Sequence, residues 1–61
     1  MNRDQMIELR EVYLSLAEIT DEMIALDDRE SKGEEVPETE VNQVVGRFMT
    51  NIFKLQALNS K

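Results

Sequence analysis

Hydrophobic positions along this chain fall into two runs, and the first keeps a regular beat. Leu9, Val12, Leu16, Ile19, Met23 and Leu26 alternate three-residue and four-residue steps, the a/d seam of a helix packing lengthwise on another helix. At 100° per residue the six share one face. Met6, Tyr13, Ala17 and Ile24 lie beside it and widen the apolar sector towards half the circumference. Asp4, Glu8, Glu11, Ser15, Glu18 and Glu22 repeat on the opposite side with the complementary spacing. The stretch Met6–Leu26 therefore reads as a helix with one apolar half and one acidic stripe.

Local signals extend that helix in both directions. Asn2 is suited to an N-cap and Gln5 to closing a capping box with it. Asp4 in the first turn favours the positive end of the helix dipole. Arg29 and Lys32 sit near the negative end, and Gly33 fits the C′ position, so the helix is expected over about 3–32. Asp27 and Asp28 are weak helix formers, and fraying is expected in the last turn.

Residues 33–37, GEEVP, form the one breaker cluster. Pro37 fixes its own backbone, biases Val36 away from helix, and suits the start of the next helix. A link this short makes the flanking helices antiparallel neighbours. The second helix is expected over about 38–58, with Val41, Val44, Val45, Phe48, Ile52 and Leu55 on one face and Gln43, Arg47, Thr50 and Lys54 opposite. Gly46 lies mid-helix and Phe53 follows seven residues later, off the main face. Two readings stand: a tolerated glycine beside an exposed ring, or a close approach by another helix with Phe53 alongside.

The resulting fold class is all-α, an antiparallel helical hairpin in a single unit covering residues 1–61. Length changes the picture further. A chain of 61 residues buries only about 60% of its extended surface, so one core is marginal. Small domains compensate with disulfides, metals or oligomerisation. There is no cysteine and no histidine, which removes disulfides, the usual zinc sites, thiol nucleophiles and imidazole bases. Oligomerisation remains. The first helix is also roughly 45 Å long against roughly 32 Å for the second, and it is apolar over more of its girth than one partner covers. Both points lead to a second copy and a four-helix bundle. The oligomer interface is expected to use Met6, Leu9, Tyr13, Leu16, Met23, Phe48, Ile52 and Phe53, with the parallel or antiparallel arrangement of the copies left open.

Charge sharpens the choice of partner. Residues 1–26 carry two basic and six acidic side chains, residues 27–40 two and seven, and residues 41–61 three and none. The helices are thus oppositely charged, and the net charge of −6 argues against direct binding to nucleic acid or anionic membranes. No apolar run approaches the roughly 20 residues that span a bilayer, and MNRDQMIELR lacks the apolar core of a signal peptide. A cytoplasmic setting is the expectation.

Chemistry has few candidates. Glu8 with Glu11, and Glu18 with Asp21 and Glu22, are spaced to share a hard cation. Bundle metal sites, however, project carboxylates inward and add histidine. Acid–base pairs need environments that split their pKa values, usually in a cleft. The expectation is no catalytic residue, no metal and no cofactor. The chain reads as a small non-enzymatic protein–protein interaction module, a regulator, adaptor or assembly factor that binds itself and a further protein. The alternative is an acidic inhibitor of the phage type. Its stripe (Asp4, Glu8, Glu11, Glu18 and Glu22) would imitate a phosphate backbone and occupy a basic groove on a host protein.

Overall fold

The computed structural model describes residues 1–60 and contains two helices, α1 over Arg3–Ser31 and α2 over Glu38–Asn59. They fold back on one another as an antiparallel hairpin 47 Å long and 15 by 11 Å across. No strand is present among the described residues.

Both ends of α1 are closed as their sequence allows. The Asn2 side chain accepts the Gln5 backbone N–H at 2.8 Å, and the Asn2 backbone N–H donates to Gln5 Oε1 at 3.0 Å. Two orphan donors are thereby satisfied at once. At the other end Gly33 takes φ 85°, a left-handed conformation that glycine adopts without a Cβ penalty. Its N–H donates to the Glu30 carbonyl and that of Glu34 to the Arg29 carbonyl, each at 3.0 Å. This is the paired C-terminal closure of a Schellman motif. Helix runs through Asp27 and Asp28 to Ser31, and this closure secures the carbonyls of the last turn. Pro37 precedes α2 as its N-cap, with φ −60° and ψ 139° and no side-chain bond to the helix.

Packing between the helices uses a narrow row from each. Val12 and Ile19 are buried on α1, seven residues apart, and Leu26 continues the row half-buried. Val44, Asn51 and Leu58 are buried on α2, again seven apart. A seven-residue repeat keeps one row facing its partner along the whole contact. The six-residue seam expected for α1 is therefore only partly engaged. Leu9, Leu16 and Met23 are half-buried, while Ser15, which belongs to the polar stripe by spacing, is half-buried with them. The contact line is rotated from the middle of the apolar half towards its polar edge.

Candidate functional site

Rotating the seam gives the hairpin two unlike faces. On one side the polar rows of both helices run together. Arg47 Nη1 donates to both carboxylate oxygens of Glu22, at 2.9 and 2.7 Å. Further towards the open end, Glu8, Glu11 and Ser15 line a shallow groove with Asn51 and Lys54. Ser15, Glu18, Gly46, Thr50 and Asn51 line its continuation. Asn51 is 9% exposed and donates from Nδ2 to the Arg47 carbonyl at 2.9 Å, so its amide is served by its own helix.

The turn end of this face is fastened by Arg29. Its Nη1 donates to Glu40 Oε1 at 2.7 Å, and Nε lies 3.4 Å from Glu34. The hydrogen bond to Glu40 and the attraction of its charge push the guanidinium pKa up; partial desolvation opposes them, and Glu34 adds a smaller upward push. One side chain thus ties α1, the connecting turn and the first turn of α2.

The opposite face is apolar and open. Met23, Leu26 and Asp27 meet Val41, Val44 and Val45 along its inner edge. Outward from that edge stand Met6, Tyr13 and Ile24 of α1 and Met49 and Phe53 of α2, all exposed. Tyr13 is 56% and Phe53 60% exposed. Of the expected oligomer-interface residues, Leu9, Leu16, Met23, Phe48 and Ile52 are half-buried, and Met6, Tyr13 and Phe53 are exposed. Five of them are thus partly covered within the hairpin, and Met6, Tyr13 and Phe53 are left open. Helical position places them along this one side.

Each residue of the expected acidic stripe, Asp4, Glu8, Glu11, Glu18 and Glu22, is exposed. The stripe does not stand apart from α2, however. Glu22 is paired with Arg47, and Glu8 and Glu11 share their groove with Lys54. The basic row of α2, placed opposite its own apolar face by spacing, swings round to meet this stripe because the seam is rotated. Asn51 was not expected in the core. Its signal is positional: it stands seven residues after Val44 and seven before Leu58.

Gly46 has nothing within 4 Å of where a Cβ would stand. Within the hairpin no helix approaches it closely. Among the described residues no group of three or more acidic side chains gathers to hold a metal ion, and no helix is long and apolar enough to cross a membrane. No protein-family model matches the chain, and neither a curated protein nor a solved structure is significantly similar to it.

Proposed function

We propose that this chain is a small non-enzymatic protein–protein interaction module that works as a homodimeric four-helix bundle, acting as a regulator, adaptor or assembly factor in the cytoplasm. The observation that carries the reading is the open apolar face. A compact monomer of 7.1 kDa exposes about 4,100 Å². This hairpin exposes 4826 Å². The excess, about 700 Å², approaches the roughly 800 Å² that each partner contributes to a stable interface. Its radius of gyration of 14.4 Å also exceeds the about 10.5 Å of a compact chain of this length. A second copy offers an equally long, equally apolar face, so two hairpins stacked face to face cover both at once.

The assignment to protein partners rests on the same geometry. Two helices enclose no cleft, and the carboxylates lie at the surface with Glu22 already paired to Arg47. That pairing also removes one charge from the stripe on which mimicry of nucleic acid would depend.

Light scattering at micromolar concentration tests the reading. The expected mass is twice 7.1 kDa, and Phe53→Asp together with Tyr13→Asp is expected to return a helical species of half that mass. A wild-type monomer that melts cooperatively would overturn it.

A further inference from the structure

The rim of the open face carries a charge pattern that selects how the second copy sits. Along the outer edge of α1, at 100° per residue, Arg3, Arg10, Asp21 and Asp28 fall within one narrow row beside Tyr13 and Ile24. All four are exposed. None takes part in the ion pairs among the described residues. The two cations lie towards the open end and the two anions towards the turn. Their order has a symmetry: Arg3 and Asp28, and equally Arg10 and Asp21, are centred midway between Ser15 and Leu16.

A two-fold dimer makes each contact twice, residue i with j and j with i. If the axis lies across the helices, α1 stacks antiparallel on α1 of the other copy. A single placement then sets Arg3 against Asp28 and Arg10 against Asp21, four oppositely charged contacts in all. The alternative axis runs along the helices, puts both turns at one end, and stacks α1 on α2 of the other copy. The corresponding edge of α2 presents Met49 and Phe53, without charge, while Asn42 and Gly46 turn towards the polar groove. That arrangement leaves the cations unmatched. It also brings together two copies of residues 27–40, each with seven acidic and two basic side chains.

We infer that the two hairpins pack face to face with their turns at opposite ends, α1 antiparallel to α1, with Arg3 opposite Asp28 and Arg10 opposite Asp21 of the second copy. The inference rests on the homodimer proposed above and adds its geometry. Rim charges of this kind contribute little affinity but discriminate between registers through repulsion in the wrong one.

The absence of native cysteine allows a direct test. A spin label on Glu35→Cys, in the turn, is read by pulsed dipolar spectroscopy in the dimer. With a two-fold centred between Ser15 and Leu16, a rise of 1.5 Å per residue separates the labels by about 50 Å. Turns at the same end would hold them within about 25 Å, given interaxial distances of about 10 Å. In parallel, Arg10→Asp and Asp21→Arg should each weaken dimerisation about tenfold, and the double variant should return to within about twofold of wild type. These two residues are about 16 Å apart on one helix, so rescue reports a contact between copies. A dimer with the short distance, or single effects that simply accumulate in the double variant, overturns this geometry and leaves the dimer standing. A monomer overturns both.

Discussion

Arg47 of α2 and Glu22 of α1 are joined across the hairpin by one guanidinium nitrogen that donates to both carboxylate oxygens. Both side chains remain about half exposed, at 52% and 46%, so water and salt compete for the pair. Arg47→Ala is expected to cost no more than about 1 kcal/mol. The loss should shrink when urea melts are repeated in 1 M salt, where the screening length falls to about 3 Å. A cost that stays constant with salt would mean that the aliphatic stem of Arg47, and not its charge, does the work.

Arg29 presents a different case, because it fastens the turn. Arg29→Lys keeps the charge but loses the planar fork that reaches Glu40 and Glu34 together. Faster amide exchange is expected at Gly33, Glu34 and Glu40, with the middle of α1 unchanged. The raised guanidinium pKa contributes stability that is present below the ordinary arginine titration and is lost only as pH climbs through the raised one. Exchange in this turn should therefore gain no protection or loss from Arg29 between pH 7 and pH 10. A step within that window would require another titrating group.

Ile19 is 1% exposed at the centre of the α1 row. Truncation to alanine removes buried apolar surface and leaves a void, a loss of about 2–5 kcal/mol. Few other residues are fully buried, so Ile19→Ala is expected to lose most of its helical circular dichroism at 25 °C. Retention of full helicity would show that the core lies elsewhere, in contacts beyond the hairpin.

Asn51 occupies a core position with its amide bonded to the carbonyl of Arg47. That carbonyl already serves the helix, so the bond contributes less than apolar packing would. Asn51→Leu is expected to raise stability by about 1 kcal/mol in urea melts. A decrease would indicate that Leu is too large against Ser15 and the row around it.

Gly46 stands mid-helix with open space beyond it. Gly46→Ala should raise stability by about 1 kcal/mol through helix propensity alone. If stability falls instead, another helix approaches this backbone, and dimerisation measured on the same variant should weaken with it.

Much of the local structure was legible along the chain. Asn2 and Gln5 marked the start of α1, Gly33 its end, and Pro37 the approach to α2, because each acts through backbone chemistry confined to a few residues. The apolar repeats identified two helices, and the short link required them to be antiparallel.

Which edge of the α1 seam is buried deepest was decided only by tertiary structure. Spacing picks out Leu9, Val12, Leu16, Ile19, Met23 and Leu26, and all six are buried or half-buried, but it does not rank the rows within that seam. The hairpin selects Val12 and Ile19, at the edge nearest the carboxylates. There Ser15 is small enough to be half-buried against Asn51, and Arg47 and Arg29 reach Glu22 and Glu40. Sequence by itself determined that two amphipathic helices would pair and that one of them had more apolar surface than a single partner covers. The fold determined where most of the surplus lies, because a contact between two helices buries one row from each and leaves Met6, Tyr13 and Ile24 of α1 and Met49 and Phe53 of α2 on one open side, with Ile7 and Leu14 exposed apart from them on α1.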